Sequence, residues 1–225
     1  MKLVKPSSDR YHRERILERS SFIRHHGGPF NYHTDLPHYA LSHLWGITKE
    51  PHMWDIGQYV DDEEGKPAAP ISMRPEKRQT LLKLLEGHPD TYWWIDVLCA
   101  RTDTPLDIMG DIYARCAECI AMVDCEPSTI PEIHSRMSQL QNIKETDDNG
   151  RSTFWQASDK LDTLAQCNWW KRVWTWQEMV LPEKVMLVSE RAIELSDCNA
   201  LNIDDLTAFT DIVEKYADRL GGMYT

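Results

Sequence analysis

Apolar residues in this chain gather into short continuous runs, separated by stretches in which they recur every three or four positions. Tyr39-Ala40-Leu41-Ser42-His43-Leu44-Trp45-Gly46 is an apolar segment of strand length closed by glycine. Pro75 suits the first position of a helix that carries Leu81, Leu82, Leu84 and Leu85, with Gly87 where a C-cap belongs. Tyr92 to Cys99 is an unbroken β-favouring run, as in a strand covered on both faces of a parallel sheet. From Pro105 the spacing turns helical, with Ile108, Ile112 and Cys116 four apart and Met109 and Tyr113 beside them. Cys119 to Val123 then reads as another buried strand. Strand and helix alternate, which predicts an α/β fold of the flavodoxin type: a mostly parallel sheet flanked by helices.

The flanking segments are less regular. Ser7 or Ser8 could cap a helix carrying Tyr11, Arg15, Ile16 and Phe22, ended by His26-Gly27-Gly28-Pro29. Residues 47–73 read as a long acidic loop with Asp61-Asp62-Glu63-Glu64-Gly65 at its tip. A helix is expected over 131–143 and a longer helical segment over 152–181, with a break near Asn168. Val185–Val188 and Ala192–Leu195 suggest a hairpin around Ser189-Glu190-Arg191. Asn202 caps a last amphipathic helix through Ile203, Leu206, Val213, Tyr216 and Leu220. The expected organisation is a lead-in over 1–38, an α/β domain over 39–190, and a strand and helix over 191–225 packed on it.

Composition narrows the function classes. The 225 residues hold 25 Lys+Arg and 36 Asp+Glu, and 25 − 36 leaves a net charge of −11. Binding to nucleic acid is driven by basic patches, so this acidity argues against it. No run of apolar residues approaches the length of a membrane span. Met1–Pro6 lacks the apolar core of a signal peptide, so the six cysteines are expected as thiols in a reducing cytoplasm.

Several constellations carry possible chemistry. Cys116-x-x-Cys119 with Cys125 nearby invites a zinc site, but the second cysteine pair that such sites use is missing and Cys116 falls on the apolar stripe of its helix, so buried free thiols are expected and no metal. Among the nine histidines His43 stands apart, because it ends a predicted strand where open α/β sheets bind ligands. Asp96 is the one charged residue in the run from Tyr92 to Cys99, and a buried carboxylate needs a partner such as Arg101 or Arg172. Residues 168–181, Asn-Trp-Trp-Lys-Arg-Val-Trp-Thr-Trp-Gln-Glu-Met-Val-Leu, form two stripes at helical spacing. Trp169, Val173, Trp176 and Val180 make one; Trp170, Trp174 and Glu178 make the other. Glu178 is then either the partner of Arg172 or Lys171 in a core helix, or a carboxylate held in an aromatic-lined pocket.

Three blocks in order, Tyr39–Gly46, Trp94–Cys99 followed by Ile112-Tyr113, and Arg172–Leu181, resemble the HET (heterokaryon incompatibility) domain of fungi. His43 stands where that family usually has Tyr, and Cys99-Ala100-Arg101-Thr102 stands for its Cys-Ile-Asn-Gln. The resemblance implies self/non-self recognition and programmed cell death. It also implies a distant likeness to TIR domains, some of which cleave NAD. On that likeness Glu178 corresponds to the catalytic glutamate, and Ser42, His43, Trp45 and Gly46 line the end of the first strand beside a nucleotide pocket. Trp45 or Trp174 could stack on the cationic pyridinium, with Asp96 and Arg172 in support. Departure of nicotinamide from an oxocarbenium-like centre needs one carboxylate, little general acid and no metal.

Three functional readings follow. The first is a cell-death or defence signalling domain that cleaves NAD and works as a homo-oligomer under an upstream sensor. The second is a self-associating module without enzymatic activity. The third is a nucleoside or nucleotide glycosyl-transferring enzyme. Nine tryptophans favour an interface, since exposed ones prefer partners, whereas the charge of −11 per chain opposes self-association at low salt.

Overall fold

Neighbouring parallel strands form within three of the apolar segments, at 39–43, 92–95 and 119–123, and their side chains build the centre of the molecule. In a computed structural model of the chain, the described residues are 38–45, 52–61, 65–88, 91–100, 107–142, 148–192 and 194–222. Strand β1 spans His38–His43, followed by the two-residue strands β2 (Met53–Trp54) and β3 (Ile71–Ser72). Helix α1 (Pro75–Gly87) leads to β4 (Tyr92–Ile95), the one-turn helix α2 (Asp96–Cys99) and α3 (Asp107–Ala114). After β5 (Glu118–Val123) come α4 (Thr129–Asn142), α5 (Asp148–Ala165), a 3-10 turn (Asn168–Lys171) and α6 (Thr175–Val180). The chain continues through β6 (Val185–Ser189), a 3-10 turn (Asp197–Asn199), β7 (Ala200–Asn202) and α7 (Ile203–Gly222).

The main sheet has the order β4-β1-β5-β6-β7. Its first four strands are parallel, with Leu41 opposite both Ile95 and Ile120, and β7 closes the edge antiparallel to β6. Counting these strands along the chain gives 2-1-3-4-5, the doubly wound order of flavodoxin-like folds. The chain leaves β1 in one direction and β5 in the other. The carboxyl ends of those two strands therefore flank the switch point, where open α/β sheets hold ligands.

Both faces of the sheet are covered, which is why β4 and β5 read as continuous apolar runs. Leu41, Trp93, Trp94, Ile95 and Met122 are fully buried. Alternate residues of β1 point to opposite faces. Tyr39 stacks on Trp93 at 5.0 Å and meets His88, just beyond α1. His38 faces α3 and hydrogen-bonds the Ile112 carbonyl at 3.1 Å. Burial holds the His38 imidazole down at about 4, the Ile112 contact offsetting this in part, so the ring is neutral and donates. Helices α4, α5 and α7 pack together, with Phe154 stacked on Tyr216 at 5.5 Å.

Four sequence expectations are corrected. The strand expected over 92–99 stops at Ile95, because Asp96 turns the chain into α2: its carboxylate accepts from the Val97 amide at 2.7 Å and its carbonyl accepts from the Ala100 amide at 2.7 Å. The loop over 47–73 contains the β2–β3 ribbon. The hairpin partner of β6 is Ala200–Asn202 rather than Ala192–Leu195. The break expected near Asn168 in the helical segment over 152–181 is present but wider than expected: α5 ends at Ala165, Arg172 is extended (φ −78°, ψ 143°) after the 3-10 turn, and helix resumes only at Thr175. The stripe of Trp169, Val173, Trp176 and Val180 consequently does not form: Trp169 is fully buried, while Val173 is 87% and Trp176 68% exposed. The helix expected from Ser7 or Ser8 lies outside the described residues. Asn202 does accept from the Asp204 amide at 2.8 Å and so caps α7.

Candidate active site

Three carboxylates gather at or near the carboxyl ends of the parallel strands, each enclosed by a different set of donors. Glu178, on the first turn of α6, is 2% exposed. Ser42, near the end of β1, donates to its Oε2 at 2.5 Å. Arg172 grips both oxygens, Nη1 to Oε2 at 2.8 Å and Nη2 to Oε1 at 3.1 Å. The Tyr113 hydroxyl reaches Oε1 at 3.4 Å. Burial, and then the charge on Glu178, push the Tyr113 phenol well above its ordinary range, so it stays protonated and able to donate.

Asp96 collects a second set. His43 Nε2 lies 2.9 Å from its Oδ1, and the Trp45 indole N–H donates to Oδ2 at 2.5 Å. Burial raises the Asp96 carboxyl, but the charge and hydrogen bond of His43, the Trp45 bond and the Val97 amide outweigh it and hold it below the usual range. The third carboxylate, Glu190, follows β6 and is clasped by Arg74 Nη2 at 2.7 and 2.5 Å. Lys77 Nζ lies 3.7 Å from it and also donates to the Leu44 carbonyl. Burial lowers the Lys77 amine to about 8, with Glu190 opposing the shift.

Ser42 and His43 therefore do not share one pocket wall, as the sequence suggests. They are consecutive strand residues, so Ser42 faces α6 and Glu178 while His43 faces Asp96. Asp96 pairs with His43 and Trp45, not with Arg172; Arg101 and Gly46 lie outside the described residues. Trp45 (54% exposed) and Trp174 (39%) both present ring surface to solvent. Trp174 sits one turn before Glu178, its carbonyl accepting the Glu178 amide at 3.2 Å. Sequence reasoning missed Lys77, Glu190, Arg74 and Asp124. The signal for Lys77 was present: it falls on the buried stripe of α1, four before Leu81 and seven before Leu84.

Cys116, Cys119 and Cys125 are buried thiols; burial raises Cys116 and Cys125 to about 12 and pushes Cys119 well above the ordinary thiol range. Among the described residues no three His, Cys, Asp or Glu side chains converge to hold a metal ion, and no helix is long and apolar enough to cross a membrane.

The class defined by this geometry is a doubly wound α/β domain with buried carboxylates collected at the switch point of its sheet. Residues 38–178 match the family model described as heterokaryon incompatibility protein (HET), more than half of the chain, and the chain belongs to that family. Membership assigns it in general terms to heterokaryon incompatibility and cell-death signalling. Comparison with the curated proteins gave no significant match, and neither did comparison with solved structures.

Proposed function

We propose that this domain signals cell death by cleaving the bond between nicotinamide and ribose in NAD, with Glu178 as the acting carboxylate. The observation that carries this reading is the position of Glu178: at the switch point, bonded to the end of β1, one turn from the partly exposed Trp174. The C1′–N1 bond breaks with its electron pair passing to the pyridinium nitrogen. Water then forms the new bond at C1′ and gives its proton to solvent. The carboxylate stabilises the oxocarbenium-like centre between those events.

Arg172 now occupies the place such a cation would take. Substrate can compete because the Arg172 side chain is 15% exposed and a guanidinium is well suited to the diphosphate that NAD brings with it. Release of Arg172 is the step we assign to assembly in the cytoplasm, as a homo-oligomer or with an upstream sensor. Val173, Trp176, Val180 and Leu181, exposed on the segment that carries Arg172 and Glu178, offer the contact.

One observation favours a second reading. Every oxygen of Glu178 is already bonded, which suits a non-enzymatic module whose exposed apolar segment mediates self-association. The deciding experiment incubates purified protein with NAD across a concentration series and follows nicotinamide by chromatography. Release that Glu178→Gln lowers by about 10²-fold or more, with the fold retained, supports the enzyme. No release at any concentration supports the module. ADP-ribose as the second product marks hydrolysis; ribose transferred to another acceptor marks a glycosyl-transferring enzyme.

A further inference from the structure

Ser42 has one proton to give and two lone pairs to fill. The indole N–H of Trp169 donates to its Oγ at 2.7 Å, and Arg172 Nη1 lies 3.3 Å away. Neither group can accept a hydrogen bond, so the hydroxyl proton of Ser42 is committed to Glu178. Trp169 thereby decides which way Ser42 points. Burial alone does not impose this bond: among the described residues the buried indole nitrogens of Trp93, Trp94 and Trp170 find no hydrogen-bond partner.

Trp169 is itself held at every polar atom. Its amide donates to Asp124 Oδ1 at 3.0 Å, while the other oxygen of Asp124 accepts from the amide and side chain of Asn168 at 3.1 and 2.9 Å. Its carbonyl accepts from Thr175 Oγ1 at 2.6 Å and from the Arg172 amide at 3.4 Å. Asp124 directly follows β5, the strand paired with β1. Burial raises the Asp124 carboxyl, but the amide of Trp169 and the side chain and amide of Asn168 outweigh it and keep it ionised. One chain of bonds thus runs from the end of β5 through Trp169 to Ser42 and Glu178, and a branch reaches the first turn of α6 through Thr175.

We infer that Trp169, anchored by Asp124, is the positioning residue that orients Glu178 through Ser42. The consequence for turnover rests on the NAD reading above; the positioning itself does not. Misplacement of a reacting carboxylate slows chemistry more than binding, so Trp169→Phe is expected to lower kcat about tenfold and leave KM within about twofold. Asp124→Asn keeps the shape, removes the charge that grips the 3-10 turn, and should act in the same direction to a smaller extent. It serves as the second variant if Trp169→Phe does not fold.

A readout independent of activity is the indole N–H resonance of Trp169 in the 15N-labelled full chain, assigned through bonds. Ser42→Ala should move it. Glu178→Gln should move it too, although Glu178 does not touch the indole, because the Ser42 hydroxyl is then free to reorient. Asp96→Asn, which removes a carboxylate on the opposite face, should leave it within its linewidth. A Trp169 resonance that ignores Glu178→Gln, or that responds as strongly to Asp96→Asn, overturns the inference. If the coupling is present but NAD is not cleaved, the catalytic reading of Glu178 falls and the positioning chain stands.

Discussion

Ser42 and His43 are adjacent in β1, yet each serves a different carboxylate on a different face of the sheet. Glu178 is neutralised by Arg172, whose charge is permanent, and it is bonded by Ser42 and Tyr113 in a fully buried setting. Asp96 has an imidazole, an indole and its neighbour's amide, and the indole belongs to a residue more than half exposed. The first cluster is closed by a full ion pair. The second stays open to solvent on its Trp45 side. A site meant to stay shut until something displaces a cation resembles the first; a site that steadies an exposed ring resembles the second.

The largest expected effect tests that difference directly. Arg172→Ala leaves Glu178 buried without a counter-charge and is expected to destabilise the domain by about 3–5 kcal/mol in chemical denaturation. The paired replacement Arg172→Met with Glu178→Leu, which removes both charges and keeps the volume, should recover most of that loss. If Arg172→Ala is nearly neutral, Glu178 is not closed off and the contrast with Asp96 disappears.

Acid should reach the two faces in sequence. His38, on the Ser42 face, is held at about 4 in the fold against 6.5 in the open chain. Between those values the unfolded chain binds one proton more, so stability is complete above 6.5 and falls by about 1.4 kcal/mol per pH unit on the way down to about 4. The depressed Asp96 carboxyl works in a lower window. Its contribution is present above the unfolded carboxylate value and is lost as pH falls through the folded one. Denaturation midpoints from pH 7.5 to 4.5 should decline, and His38→Gln should flatten that decline. An unchanged slope in His38→Gln would assign the acid sensitivity elsewhere.

The sheet was legible in the sequence because strands covered on both faces leave an unbroken apolar signature, and β4 and β5 carry it. The pairing of Glu178 was legible as well, since Arg172 stood among its candidate partners. The break at 172–174 was not. No Pro or Gly interrupts 168–181, so the helical periodicity is locally sound. What ends it is tertiary: Asp124 holds the 3-10 turn from β5, and Arg172 turns its side chain back onto Glu178. The short β7 was hidden for a related reason, since three residues give no alternation to read. The pairing of Asp96 with His43 required knowing that β1 and β4 are neighbours, which spacing along the chain does not encode.

Asp96→Asn probes the second cluster with a smaller expected effect. The amide keeps one acceptor oxygen but turns a donor toward either the imidazole or the indole, so one of the two bonds weakens. A loss of about 1–2 kcal/mol is expected by denaturation, well short of Arg172→Ala. A loss as large as that of Arg172→Ala would make the two clusters energetically equivalent and remove the basis for treating only one as closed.

Trp45→Phe should have the smallest effect and gives the finest test of openness. The substitution removes the N–H that reaches Asp96 Oδ2 and leaves an aromatic ring on a residue 54% exposed. Water can take the vacated position from the open side, so the carboxylate is not left unsatisfied, and the expected loss of stability is below about 1 kcal/mol. The effect on ligand binding should be larger than the effect on stability. Without the indole bond to Asp96 the ring is no longer held at one angle, and a stacked cationic ring loses a fixed platform. On the proposed cleavage of NAD, the measurement is KM for NAD alongside the denaturation midpoint. A raised KM with a nearly unchanged midpoint identifies Trp45 as a recognition surface steadied by Asp96. A midpoint that drops as far as in Asp96→Asn would mean that water does not enter on the Trp45 side, and the Asp96 cluster would then be as closed as that of Glu178.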